Sequence, residues 1–600
     1  MLSTKRFKVS VAAGTVALLG APLVYAQGAD VGAAVQQQQR FEQQTQELQR
    51  RVKGQQEERT QQVREQAQVL GAPVQGAYAK LPKDEQPCFV LHSMRFAGVE
   101  GAQVPWALLA GLDSVVQFSR EASNPHPIYD TPLNQCVGAQ GLQVLVQRAQ
   151  NHLIERGFIT SRVLVGEQDL SQGTLVLTVV PGYVAQIKGK ESKATARMHT
   201  ALPTGAGQML NLRDIEQGLE NLKRVPTADA DVQIMPVSEV GQSDVVVSYV
   251  QTRPVRFGVS LDNYGSDSTG KWQGGVTASV DNPLRLNDLF YASYTHALGG
   301  GERSAAGDRG SWGYALGYSV PFGYWIIGAN ASGNRYHQTV AGASQDYVYS
   351  GKSRSEELSV GRVLQRDANS KTTVTFKGWQ RQSSSFIDDT EIEVQRRRTA
   401  GWALQLAHRQ YWGKATLDAN VGYKRGTGAQ RAMEAPEQAF GEGTSRFAAL
   451  TAEVSANAPF QVGQQPWRYN GVWRWQHHRT PLTPIERFSV GGVYTVRGLD
   501  GQQTLLGERG WLLRNELAWN VAGQGHEVYA ALDYGRVGGP STQWLVGKGL
   551  AGAALGVRGS WQQGWLKGLG YDMFVGAPVY KPEGFKTSKH TVGISVNWQY

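Results

Sequence analysis

The residues able to do chemistry are few, and their spacing argues against catalysis. His477-His478 offers two imidazoles, but neighbours on an extended strand point to opposite sides and no third ligand accompanies them, so no metal is expected. GSDSTGKW (265–272) comes close to a phosphate-binding loop, yet Trp272 stands where Ser or Thr should follow Lys271. It also joins two alternating strands instead of opening a helix, so a surface loop is expected. No G-x-S-x-G or H-E-x-x-H signature occurs; neither enzymatic activity nor a cofactor is expected. What remains is electrostatic. In FSVGGVYTVRGLDG (488–501) four glycines surround the lone cation Arg497, inside a connection that runs from about His478 to Gly510. Strand connections need about two to five residues, and one this long with an apolar centre is either disordered or functional. Arg497 is then either a solvated loop cation or one half of a buried ion pair.

The N-terminus is an address. Lys5, Arg6 and Lys8 precede the apolar run Val9–Leu19, and Val24-Tyr25-Ala26 supplies a cleavage site, so residues 1–26 are expected to be a secretory signal peptide. Beyond the inner membrane Cys88 and Cys136, the two cysteines, are expected to form a structural disulfide, a closure of about 4 kcal/mol in the chain-entropy picture. The net charge of +10 is spread along the chain without a recognisable nucleic-acid-binding motif, so no nucleic-acid partner is expected. No apolar run is long enough for a membrane-spanning helix. The mean hydropathy of −0.36 does not exclude a transmembrane barrel, which shows lipid only every second residue.

The elements that must position Arg497 come in three styles. Residues 27–70 form a polar helix, glutamine-rich from 36 to 70, whose apolar stripe of Phe41, Leu48, Val52, Val63 and Leu70 is too thin for an ordinary core. It suits a wet cavity, a weak coiled coil or a solvent-bridging tether. Residues 71–87, with Gly71, Pro73, Gly76, Pro82 and Pro87, read as a linker. Two small α+β units follow, at 88–181 and 182–252. The first has a strand in CFVLHSMRFAG, a helix over Trp106–Phe118, a second helix with Leu142, Leu145, Val146, Ala149 and Leu153 on one face, and strands at 161–166 and 174–180. The second has a helix capped by Asn211, with Leu212, Ile215, Leu219 and Leu222 inward, and strands near 231–235 and 244–250.

From residue 253 to 600 the chain alternates. Fifteen of the 16 tryptophans lie here, all but Trp106. Sixteen segments can be placed between 255–264 and 590–600, with 391–399 and 401–411 counted separately, one long strand over 391–411 as the alternative, and 569–580 left as a further candidate. In HTVGISVNWQY, Val592, Ile594, Val596, Trp598 and Tyr600 share one face while Thr591, Ser595, Asn597 and Gln599 share the other. A soluble sandwich would not carry Trp and Tyr so regularly on a solvent face; an all-β transmembrane barrel of sixteen antiparallel strands is expected.

Taken with CFVLHSMRFAG, GFITSRVLVGEQDLSQGTLVLTVVPG, NLRDIEQGLENLKRVP, SLDNYGSDSTGKWQGGVTASVDNPLRLNDLFYASY and FSVGGVYTVRGL, this arrangement resembles the two-partner secretion transporters of the filamentous haemagglutinin and haemolysin secretion family. The resemblance implies an outer-membrane pore whose periplasmic POTRA domains recognise one large unfolded exoprotein, an adhesin, haemolysin or contact-dependent toxin. It implies translocation without nucleotide hydrolysis, outer-membrane lipid around the barrel, and insertion by the barrel-assembly machinery. The POTRA sheet edges are the expected cargo sites. An insertase of the same superfamily and a diffusion porin are the rival readings.

The resemblance also places the loop at about 480–509 inside the lumen, with Val496-Arg497-Gly498 as a gating tip paired to an inner-wall aspartate in a Phe/Gly-x-Asp-x-Gly motif. Here Leu499 replaces the aromatic residue after the tip, and Asp533 sits in Ala531-Leu532-Asp533-Tyr534-Gly535, with Ala for Phe or Gly. Alternation supports the pairing. Val528, Ala530, Leu532 and Tyr534 form the apolar face of 527–537, which turns Asp533 inward. Trp511, Leu513, Leu517 and Trp519 do the same for 510–520, leaving Arg514 and Glu516 inside. For the glutamine-rich helix the resemblance implies a removable plug; a periplasmic tether is the alternative.

Overall fold

The computed structural model describes residues 35–50, 54, 56, 59–61, 63–64, 79–101, 103–121, 124–190, 195–299, 307–342, 344–521 and 525–600. The signal peptide and most of the linker read from the sequence lie outside these residues. Residues 35–50 are helical, as are 54, 56, 59–61 and 63–64 further along.

In the first α+β unit Ser93–Gly98 pairs in parallel with Thr174–Val180, which pairs antiparallel with Arg162–Val165. Alternation in Thr174–Val180 buries Leu175, Leu177 and Val179 under the helix Ala139–Glu155, whose Leu145, Ala149 and Leu153 are fully covered. Cys88 and Cys136 are joined. The helix expected over Trp106–Phe118 is instead two single turns, Trp106–Leu109 and Leu112–Val115, broken at Gly111, whose φ of +83° no continuous helix accommodates. The pair Phe118–Glu121 and Asn124–Tyr129 was not expected, because Pro125 and Pro127 argue against a strand; this two-stranded sheet tolerates them at its edges.

The second unit orders its strands Tyr183–Gly189, Gln242–Gln251, Ala228–Pro236. Its helix Leu212–Lys223 starts at Asn211, whose side chain accepts from the Arg213 amide, and buries Leu212, Ile215, Leu219 and Leu222 as their spacing requires. A further helix, Thr195–Ala201, carries too little periodicity to be read in advance.

Sixteen long strands close the barrel, Val255–Asp262 pairing with Thr591–Gln599. The count stands, but two of its members change. Arg397–Trp412 is one strand, not two: Gly401 permits close backbone approach, since a Cβ there would meet Arg425 O at 2.0 Å, and nothing breaks the alternation. Glu391 pairs with Phe386 in the two-residue strand Thr390–Glu391, residues 392–396 fold into the connecting loop, and Leu569–Tyr580 takes the vacated place as a full strand. Strands run from 8 residues (Val255–Asp262) to 21 (Asp346–Arg366), the longest grouped as Trp325–Ala341, Asp346–Arg366 and Ser370–Ile387. Outward positions such as Leu358 and Leu555 are exposed, as lipid-facing residues are when the barrel is viewed without its membrane, and inward ones are polar.

Candidate functional site: a clamped loop and a helix inside the barrel

The connection between Gln465–His478 and Arg509–Val521 does not project outward. It makes a turn at Pro484–Glu486, then a hairpin of Phe488–Val490 with Leu505–Gly507, and its tip reaches the inner wall. Contact with the wall is backbone to backbone. Gly498 has φ +94°, and a Cβ there would lie 2.4 Å from Ala577 O; a Cβ at Gly552 would lie 2.0 Å from Arg497 O. Glycine on both partners is what lets the tip touch strands Gly549–Ser560 and Leu569–Tyr580.

That approach delivers Arg497 to its carboxylates. Nε donates to Asp533 Oδ2 at 2.8 Å and Nη2 to Oδ1 at 2.9 Å, a two-pronged grip, while the Arg497 amide adds a third bond to Oδ2 at 3.0 Å. Nη1 donates to Glu516 Oε2 at 2.6 Å and Nη2 to Asn515 O at 3.3 Å. Arg497 is 5% exposed, Asp533 0% and Glu516 8%, so the sequence alternative of a solvated loop cation does not describe it. Arg514 stands behind, with Nε 3.8 Å from Asp533 and Nη1 donating to Tyr494 O at 3.4 Å.

The other tip residues are packing partners. Val496 and Leu499 are buried with Val490, Leu505, Leu512, Val537, Leu550 and Phe585. Leu499, the departure from the aromatic pattern, therefore fills an apolar cluster. Gly535 leaves room for Val490, whose Cγ1 would be 2.6 Å from an added Cβ. All eight residues singled out around the loop thus converge, and the Cys88–Cys136 bond is a separate feature of the first α+β unit. Sequence reasoning missed Arg558, which joins Glu516 (2.5 Å) to Glu527 (2.8 Å), and Asn470, which donates to Glu516 at 3.1 Å. Arg558 alternates with Val557 and Leu555 outside, so the lumenal face of that strand was the signal available.

The helix of residues 35–50 lies within the same lumen. Gln39 donates to Pro484 O and Arg487 O, both at 3.3 Å, and Arg40 to Gly501 O, so it touches both the root and the tip region of the loop. Glu42 pairs with Arg381 at 3.0 Å; Arg381 also holds Glu486 of the loop at 2.7 Å, and Lys424 holds Glu486 at 2.6 Å. Arg50 reaches Glu453 at 3.1 Å, and Phe41 packs over Gly313, where any side chain would collide with its ring. A polar helix is satisfied here because the inner wall is polar.

Comparison with known proteins gives the assembly its context. The family described as haemolysin secretion/activation protein ShlB/FhaC/HecB matches residues 241–559, more than half the chain. The chain belongs to that family. Its two α+β units match as POTRA domains, residues 112–182 as the ShlB-type and 183–236 as a second kind. Among ShlB/FhaC/HecB-type relatives, outer membrane transporter CdiB-2 of Burkholderia pseudomallei (strain 1026b) is 37% identical over 524 residues, 87% of this chain and 88% of the relative. The solved CdiB from Acinetobacter baumannii superposes with TM-score 0.77 at 28% identity, covering 95% of this chain and 99% of that one. CdiB from Escherichia coli gives 0.75 at 26%, covering 92% and 98%. As a member of this family the protein is an outer-membrane two-partner secretion transporter with periplasmic POTRA domains, and the insertase and porin readings give way.

POTRA2, the second unit, docks on the periplasmic rim of the barrel. Arg366 holds Glu220 at 2.5 Å and Glu216 at 3.3 Å, Lys371 also pairs with Glu220, and Asn221 donates to Gly323 O at 2.7 Å. Burial pushes the Glu220 carboxyl up, but Lys371 and Arg366 outweigh it and hold it at about 2, below the ordinary 4.5. A carboxyl whose pKa falls on docking stabilises the docked state fully above 4.5 and loses that contribution as pH drops to about 2. Spin-label distances between POTRA2 and the barrel are therefore expected to stay constant from about pH 7 to about pH 5 and to broaden below about pH 4.

Proposed function

We propose that this transporter exports one large exoprotein of the kind handled by the CdiB proteins, and that the structure is its resting, closed state. The relatives named CdiB, at 29–37% identity, stand nearer than the haemolysin transporters ShlB and HpmB, at 25% and 23%, which favours a toxin-type cargo. The observation that carries the closed state is the polar helix of residues 35–50, bonded inside the barrel to both wall and loop. The helix acts as a plug that cargo must replace. Arg497 and Asp533 keep the loop in its transport-competent position against the wall while the helix comes and goes.

Cargo enters as an extended chain. The first POTRA sheet has Ser93–Gly98 and Arg162–Val165 as its edges, and the latter exposes Leu164 and Val165. An unfolded segment adds to such an edge through main-chain hydrogen bonds, and exposed apolar side chains give it some grip. Folding outside the cell biases the direction, and no nucleotide is consumed.

The test is comparative proteomics of supernatant and outer membrane from wild type, deletion and Arg497→Ala strains. Loss of one large exported protein from both mutants, with the membrane profile intact, is the expected result. A general fall in other barrel proteins would overturn it.

A further inference from the structure

Beyond residue 50 the described helical residues have other partners. Arg59 Nη1 donates to Lys223 O at 3.2 Å, Val225 O at 3.1 Å and Ala228 O at 3.1 Å, and Nη2 donates to Pro226 O. Lys223 O belongs to the last turn of the POTRA2 helix Leu212–Lys223 and the others to the segment just after it, where the helix dipole favours a cation; Val225 O also accepts from the Ala228 amide. Burial and the nearby Arg256 work against the charge of the same guanidinium, and Asp281 and Asp229 offset part of that. Asp281 is held by Arg256 at 2.9 and 3.0 Å and Asp229 by Lys223 at 3.2 Å, so the backbone oxygens are the ligands that hold Arg59. One turn further on, Val63 is wholly buried in the POTRA2 core cluster with Leu202, Leu219 and Leu222. Arg64 bonds instead to the barrel turns, at Ala368 O (3.0 Å), Gly413 O (3.2 Å) and Asn369 Oδ1 (3.0 Å), over the ring of Tyr411 at 4.4 Å.

We propose that the carbonyl cluster at the end of the POTRA2 helix is a receptor for a basic side chain of the exoprotein, held shut in cis by Arg59. An Arg or Lys of the unfolded cargo takes the place of Arg59; the helix then loses its anchor on POTRA2 and leaves the lumen. The inference rests on the plug reading above. The occupant is cationic because the site is already filled by a guanidinium and its four backbone ligands are all acceptors. An extended chain arriving at the periplasmic mouth has its basic side chains free to compete, whereas a folded domain has most of them committed. Seal and receptor are then one site, and cargo arrival itself opens the pore.

Single-channel recording of the full chain in planar bilayers tests this, with arginine amide as the probe and citrulline amide as its uncharged counterpart. Arg59→Ala is expected to raise the frequency of openings about tenfold, the factor equivalent to ~1.4 kcal/mol of lost anchoring. Periplasmic arginine amide is expected to raise openings of the wild type, citrulline amide to do nothing, and Arg59→Ala to gain nothing from either. Arg64→Ala loosens the helix from the barrel turns, so it opens more often yet keeps its response to arginine amide. Equal responses to the two amides would refute a cation receptor. Arg59→Ala behaving as wild type, while deletion of residues 36–70 leaves the pore open, would overturn this inference alone; a deletion with unchanged conductance would instead overturn the plug.

Discussion

Arg497→Ala is expected to reduce export of the exoprotein by at least about tenfold, with the barrel still folded and inserted. The substitution removes the two guanidinium bonds to Asp533, which is fully buried, and leaves it only the Arg497 backbone amide bond. Removing the cation from a buried ion pair costs about 3–5 kcal/mol. Two neighbours soften the loss: Arg514 lies 3.8 Å from Asp533, and Glu516 keeps Arg558 at 2.5 Å. Loop release is therefore the expected outcome, not unfolding. Arg497→Lys should restore little, since a point charge cannot reproduce the grip on both Asp533 oxygens together with Glu516. Asp533→Ala should also reduce export, though less, since Arg497 keeps Glu516, and the double variant should be no worse than Arg497→Ala, which already removes the shared contact. A secretion assay on the four strains decides it, and wild-type export from both single variants would sink the clamp.

The second large effect is on conductance. Deleting residues 36–70 is expected to raise single-channel conductance by about an order of magnitude, since a helix with its side chains is about 10–12 Å across and sixteen strands enclose an aqueous channel not much wider. The increase stops short of an open porin because the loop remains, fixed to the wall through Arg497 and its apolar cluster. An unchanged conductance would mean that residues 35–50 leave the lumen in the membrane and serve as a tether.

Most of the barrel was legible in the sequence because a period of two repeated over sixteen strands is hard to mistake, and the lipid face adds Trp and Tyr to it. Asp533, Glu516 and Arg514 could be turned inward by alternation alone, since a one-residue slip would have put them in lipid. The pairing of Arg497 with Asp533 was different: nothing local ties positions 36 residues apart, and only the resemblance named the partner. Two kinds of feature escaped. Thr195–Ala201 and the split at Gly111 are short elements whose conformation is set by what they pack on and by one left-handed residue. The Arg59 site is built from main-chain oxygens, which have no signature in residue types at all.

The unequal strands give the cell surface a direction. At about 3.3 Å per residue and a tilt near 40°, the 21 residues of Asp346–Arg366 climb some ~50 Å, against a hydrocarbon band of roughly 25 Å. With Trp325–Ala341 and Ser370–Ile387 they raise a parapet on one side of the exit, while the 8 and 9 residues of Val255–Asp262 and Thr591–Gln599 rise only about 20–23 Å, no more than the band itself, on another. An emerging polypeptide meets a wall on one flank and open water on the other. Its first folded layer should therefore accumulate over the low rim, so that the exported protein leaves the bacterium leaning and not upright.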